Sequence, residues 1–152
     1  MIKAQRALAF TLALGAFASQ AWAAELAGMV KNSKGQVTIE RAGQRMPATV
    51  GAAVEVGDKL RTGNHSAVGV TLRDNTLLSA GANAVIVVDK FRYDTVTEAG
   101  EMTIGVRKGT LSVATGRIAR KTPESVDFRT PTSVLGVRGT EFVIEVMDGN
   151  DE

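Results

Sequence analysis

Beyond residue 23 no stretch of this chain holds a helical period. Apolar side chains recur instead at every second position, in short runs divided by turn residues. Val68, Val70 and Leu72 alternate with Ala67, Gly69 and Thr71, and Met102, Ile104 and Val106 repeat the pattern. A period of two sets one row of side chains on a core and the other on solvent. Val85-Ile86-Val87-Val88 is different: an unbroken β-branched run bounded by turns. It predicts a strand buried on both faces and central to the fold. Turn signals stand at Lys34-Gly35, Ala42-Gly43, Gly57-Asp58, Gly63 to Ser66, Asp74-Asn75, Ser79 to Asn83, Glu98 to Gly100 and Arg107 to Gly109. Residues 24–34 carry only a weak apolar pattern, and Gly116 to Glu124 reads as a basic loop. About ten short strands are expected, so the fold class is all-β: a sandwich, barrel or solenoid.

The first 23 residues are of another kind. Lys3 and Arg6 precede an apolar run from Ala7 to Ala18, and Ala21-Trp22-Ala23 has the small-x-small form of a cleavage site. This predicts a secretory signal helix, with the mature chain beginning at Ala24 and no stable membrane insertion once it is removed. The run is shorter than the roughly 20 residues a spanning helix needs. Taking Lys3 and Arg6 from the 18 basic residues leaves sixteen, which match the 16 acids. A neutral mature chain argues against nucleic-acid binding by charge. Stacking on bases is equally poorly supplied, because only Phe91, Tyr93, Phe128 and Phe142 follow the leader. The chain has no cysteine, hence no disulfide and no thiolate for lipid, metal or catalysis.

The most patterned stretch is Phe128 to Val146. Phe142, Ile144 and Val146 face one way, with Glu141 and Glu145 on the other side. Upstream, Leu135 and Val137 alternate on odd rather than even positions, so the inward face changes parity before Phe142. A slip of one residue reverses every side chain. A bulge or bend at Gly139 is the expected repair.

This stretch, T-P-x-x-x-x-G-V-R-G-T-E-F from Thr130 to Phe142, resembles the closing signature of the FecR domain, an all-β extracytoplasmic module of bacteria. Gly57 to Gly63, Ser66 to Leu72, Asp74-Asn75, Gly81 to Asn83 and Lys108 to Leu111 resemble it in the same order. The resemblance implies a compact solenoid-like sandwich of twisted sheets over residues 24–146, after the signal peptide of 1–23 and before an acidic tail of 147–152. It implies a structural signature of Gly57, Asp58, Gly136, Arg138, Gly139 and Thr140, with the Arg138 fork binding turn carbonyls or a carboxylate such as Asp58 or Asp127. The family's next strand, of pattern V-x-V-x-x-G, has no match after Val146: either the chain is a truncated family member or its last strand has an open edge, and the ordinary reading of residues 147–152 is a frayed polar terminus.

No catalytic constellation is found. His65, the single histidine, stands in a turn between Asn64 and Ser66 with no nucleophile assigned to it, and the ordinary reading is a solvated loop residue. Glu141 and Glu145 lie about four strand rises apart, roughly 13 Å, too far for a glycosidase pair. No metal site and no cofactor are predicted. Arg117, Arg120 and Lys121 form the best candidate contact surface, for an acidic protein, an anionic lipid or a cell-wall polymer. In the family this domain is the periplasmic part of regulators that relay signals from outer-membrane transporters to sigma factors. It follows a cytoplasmic helical region and a membrane span there, neither of which is read in this sequence. The expectation is therefore a non-enzymatic periplasmic or secreted interaction module with an envelope protein partner and without anti-sigma activity. The alternative is a structural or wall-polymer-binding envelope protein.

Overall fold

The computed structural model describes residues 24–139 and 141–147. The expected signal helix, Thr140 and most of the acidic tail lie outside the described residues. Among the described residues the fold is all-β and mostly antiparallel, a curled half-barrel sheet of twelve strands with one short helix.

Four long passes of chain build the sheet, and each one bends half-way. The first consists of β1 (Leu26–Lys34) and β2 (Val37–Arg41), and the second of β5 (Lys59–Thr62) and β6 (Ala67–Leu72). Between them lie the short β3 (Gln44–Pro47) and β4 (Ala53–Glu55), which pair with β2 and β1. The third pass is β7 (Leu77–Ala80) with β8 (Val85–Tyr93), and the fourth is the single strand β9 (Gly100–Ala114). β1 pairs with β6 and β2 with β5; β6 pairs with β7 and β5 with β8; β7 and β8 both pair with β9. Neighbouring passes therefore stay antiparallel on both sides of the bend.

Several turn signals in the sequence prove to be corners rather than reversals. Gly35, Gly63 to Ser66, Gly81 to Ala84 and Gly109 lie side by side across the four passes. Their backbones are joined: Gly63 N–H donates to Gln36 O at 2.9 Å, Asn83 N–H to Gly63 O at 3.1 Å, and Gly81 N–H to Thr110 O at 3.0 Å. Thr62 Oγ1 adds a side-chain rung, donating to Gly81 O at 2.6 Å and accepting from Ala84 N–H at 2.8 Å. The true reversal between the second and third passes is Asp74-Asn75, as the sequence suggests. Gly69 leaves room for the Asn32 side chain, which lies against it.

The two limbs of the bent sheet share one core, in which Phe91, Phe128, Ile39, Leu72, Met102 and Ile104 are all but inaccessible. Leu60 and Ile86 of one limb and Val70 and Leu78 of the other line a void of only about 10 Å³. An apolar space of that size stays dry. Ile86, Val87 and Val88 are buried as predicted from their β-branched run.

The remaining elements attach to the free edge of β9. β10 (Val126–Arg129) runs parallel to Met102–Gly105, and β11 (Val134–Gly136) folds back on β10. β12 (Glu141–Val146) runs antiparallel to β9 between Gly109 and Ala114. Two expectations are corrected here. The parity change in the closing stretch is no bulge within one strand: β11 follows β10, whereas β12 follows β9, and the chain changes partner between them. Leu135 is accordingly on the surface, 41% exposed, rather than inward. Two more strands are present than the sequence pattern suggests. One reason is that β1, buried only at Ala27, Gly28 and Val30, carries too little apolar alternation to be recognised.

Candidate functional site

Between β9 and β10 the basic run expected as a loop forms α1 (Arg117–Lys121) and a 3-10 turn (Pro123–Ser125). It is too short to display a helical period. Its apolar side, Ile118 at 0% and Ala119 at 3% exposure, packs into the core. So short a helix cannot satisfy its own first N–H groups, and Gly116 before it provides no side-chain cap. The cap comes from the reversal between β6 and β7. Asp74 is fully buried and its carbonyl accepts the Arg117 N–H at 2.8 Å. The Asp74 carboxylate accepts the Ile118 N–H at 3.2 Å, the Thr76 N–H at 3.0 Å and the Thr76 hydroxyl at 2.8 Å. Thr76 Oγ1 in turn accepts the Gly116 N–H at 3.0 Å.

With Ile118 and Ala119 held inward, Arg117, Arg120 and Lys121 project together. Spacings of three and four place them on one helix face, and all three are exposed. They border an open pocket of about 390 Å³ with Asn75 and Glu98. Glu98 comes from the β8–β9 loop and pairs with Arg117 at 3.0 Å. The Tyr93 phenol, and after it the Glu98 carboxylate, hold the Arg117 guanidinium above its ordinary value. Tyr93 Oη is buried and has no hydrogen-bond partner among the described residues. Arg120 Nε contacts Gly116 O at a long 3.4 Å. Among the described residues, Arg120 and Lys121 make no ion pair, and their charge faces solvent.

The loop that supplies Glu98 is ordered by Asp94, whose carboxylate accepts the Val96 N–H at 2.8 Å and the Thr97 N–H at 3.0 Å. These bonds, Thr97 first, hold the Asp94 carboxyl below its ordinary value. A depressed folded-state value means that the stabilisation is complete above the unfolded value and is lost as pH falls through the folded one. Titration from neutral pH to below about pH 4 should release the Val96 and Thr97 amides, seen as a joint shift in their NMR resonances. Resonances that remain fixed to pH 2 would refute this.

The comparisons bear on a larger part of the chain. The family model described as FecR protein matches residues 58–152. The chain belongs to the FecR family. No curated protein matches the sequence. A solved structure described as a cell surface anchoring domain is similar over 40% of this chain and 82% of its own length, with 22% identity and a TM-score of 0.39.

The FecR match opens at Asp58, one of the signature residues and one of the partners considered for Arg138. Asp58 is fully buried. Arg41 of β2, not Arg138, grips it side-on, with Nε on Oδ1 at 2.8 Å and one terminal nitrogen on Oδ2 at 2.7 Å. Glu55 N–H adds a third bond at 2.8 Å, and the second terminal nitrogen of Arg41 reaches the Glu55 carboxylate at 3.0 Å. These bonds, the one to Asp58 foremost, raise Arg41 above its ordinary value. Gly57 supplies the turn with φ of +91° and donates its N–H to Val88 O at 2.7 Å. Gly136, at the end of β11, and Arg138 and Gly139, in the link toward β12, lie apart from it, and Gly139 has φ of +34°. Thr140 is outside the described residues.

An ammonium cannot reproduce the planar fork of Arg41. Arg41→Lys should therefore cost about 1–2 kcal/mol by loss of one charged hydrogen bond, read as a lower urea midpoint with an unchanged slope. Sequence reasoning missed Arg41, Asp74, Glu98 and Tyr93. Asp74-x-Thr76 does carry the local signature of a side-chain turn. Its bond to Ile118, forty-four residues away, has no local trace. His65 is exposed at a corner with φ of +52°, and among the described residues no three His, Asp or Glu side chains gather into a metal-sized group.

Proposed function

We propose that this FecR-family chain is a non-enzymatic extracytoplasmic interaction and sensing module, periplasmic or secreted, which meets an acidic surface on an envelope protein partner through the cationic face of α1. In this reading residues 1–23 are a cleaved leader, residues 24–146 form the interaction domain, and the bent sheet is a solenoid-like sandwich. The supporting observation is the construction of α1. Five residues of helix are fastened by the buried Asp74 and Ile118, and Arg117, Arg120 and Lys121 are carried outward around an open pocket. Charges so placed steer association and set specificity. Among the described residues no helix is long and apolar enough to cross a membrane.

The test is capture of partners by cross-linking in intact bacteria, comparing the parent with an Arg120→Glu/Lys121→Glu variant. Both residues are exposed, so the melting temperature should not change. The reading expects a discrete envelope protein whose recovery falls at least tenfold in the variant and weakens with salt. Equal recovery would overturn it. Salt-sensitive sedimentation with purified cell wall, lost in the same variant and without a protein partner, would replace it with the structural, polymer-binding role.

A further inference from the structure

The β8–β9 ladder leaves regular register twice, on either side of one glycine. Val88 pairs with Ile104 and Lys90 with Thr103, so Asp89 is an extra residue on β8. Ile86 pairs with Val106 and Val85 with Lys108, so Arg107 is an extra residue on β9. A bulge of this kind re-aims the side chain that it adds. Both side chains converge on Gly105: a carbon built there would lie 2.8 Å from Asp89 Oδ2 and 3.6 Å from Arg107 Nε. A third charge, Arg129 of β10, pairs with Gly105 from the other side. Asp89, Arg107 and Arg129 border an open pocket of about 370 Å³ together with Gly105, Thr130 and Pro131. All three charged residues are exposed, and among the described residues none of their side chains makes a hydrogen bond or an ion pair. Opposite charges elsewhere on the sheet do pair: Arg61 meets Glu40 at 3.1 Å and Arg92 meets Glu101 at 3.5 Å.

We propose that this pocket binds a free dicarboxylic α-amino acid of the glutamate kind. Two guanidinium groups and one carboxylate surround it and leave it a single net positive charge. The complementary ligand carries the reverse set, two carboxylates and one ammonium, and a single net negative charge. A dicarboxylic α-amino acid at neutral pH has that set. Its ammonium meets Asp89, and its two carboxylates meet Arg107 and Arg129, whose planar forks suit a carboxylate. A dicarboxylate without the ammonium is repelled by Asp89, and a simple cation is repelled by both arginines. A ligand with one carboxylate leaves one guanidinium unanswered. Gly105 is part of the device, because a side chain there would displace the Asp89 carboxylate. The pocket shares no residue with the α1 face and does not depend on it.

The probe is L-glutamate, titrated into the mature protein and followed by backbone NMR. Glutarate, which lacks the ammonium, and L-glutamine, which lacks the second carboxylate, are the controls. Glutamate should give saturable shifts centred on the Asp89, Gly105, Arg107 and Arg129 amides. Each control should bind at least tenfold more weakly, as expected for loss of one charged hydrogen bond. Asp89→Asn should lower glutamate affinity at least tenfold and abolish the preference over glutarate. Arg107→Gln should abolish the preference over glutamine. Both variants alter exposed side chains, so the melting temperature should not change. Gly105→Ala is an independent check, because its added carbon crowds only the movable end of Asp89. It should weaken glutamate binding while the fold survives. Arg120→Glu/Lys121→Glu should leave glutamate affinity unchanged. Absence of a saturable shift at millimolar glutamate, or shifts centred elsewhere, would overturn the proposal. Equal binding of glutamate and glutarate would also overturn it, leaving only an unselective anion site.

Discussion

Gly109→Val should leave a domain that barely folds. Gly109 is the corner of the fourth pass, with φ of +83°. A side-chain carbon built there would lie 2.7 Å from the Ala84 Cα and 2.8 Å from its Cβ. Two costs combine. A β-branched residue in the left-handed region is strained by about 1–3 kcal/mol. The clash adds a further ~1–3 kcal/mol, because it is with backbone that cannot swing aside. Ala84 is itself fastened, its N–H held by Thr62 Oγ1 at 2.8 Å. A total of about 2–6 kcal/mol removes much of the roughly 5–15 kcal/mol that a domain has. The melting temperature should fall by roughly 10–20 °C, or the cooperative transition should disappear. Gly43→Val is the control. Gly43 has φ of +77° but nothing within 4 Å of the added carbon, so only the strain applies. Equal melts for the two variants would show that close packing at the corner is unimportant.

Asp74→Ala should cost about 3 kcal/mol or more. Its carboxylate is the acceptor for the Thr76 N–H, the Thr76 hydroxyl and the Ile118 N–H in a fully buried place. Each buried donor left unsatisfied costs about 1–3 kcal/mol. The backbone bond from Arg117 N–H to Asp74 O survives the substitution, so α1 should loosen rather than vanish. Asp74→Asn should recover only part of the loss, because one of its two carboxylate oxygens becomes a donor facing donors. Urea denaturation gives the energy, and hydrogen exchange at Ile118 gives the site. The Ile118 amide should lose protection more than core amides such as Ile104. A loss under about 1 kcal/mol would mean that water replaces the carboxylate, and the link from the β6–β7 reversal to the cationic face would fail.

Several features of the site were readable in order of residues alone. The three cations at 117, 120 and 121 stand out against a neutral mature composition. The apolar Ile118 between them is equally visible, yet five residues are too few for a period to separate helix from loop. Their common face follows from burial of Ile118, and burial depends on β9 and on the Asp74 reversal arriving at the same place. Arg41 and Asp58 are similar. The Gly57-Asp58 turn is legible, but nothing near Asp58 in sequence indicates which arginine will reach it. Arg138 was the natural guess because it belongs to the same signature. Arg41 succeeds because β2 pairs with β5 next to Asp58.

Alternation with a period of two commits this chain to strands, since no other backbone places every second side chain on one surface. Val68-Val70-Leu72, Val85 to Val88 and Met102-Ile104-Val106 therefore name their elements and much of the core without any coordinates. A turn residue carries less information. Glycine or asparagine at Gly63-Asn64, Gly81-Ala82-Asn83 and Gly109 records only that the local backbone leaves the extended region, as Asp74-Asn75 does too. Whether the chain then doubles back, or bends and continues beside its neighbour, depends on hydrogen bonds to the adjoining pass: Gly63 to Gln36, Asn83 to Gly63 and Gly81 to Thr110. Those partners come from distant parts of the chain. Strands are written in local periodicity, while the bent sheet and the buried carboxylate clamps exist only once non-local pairing has selected the neighbours.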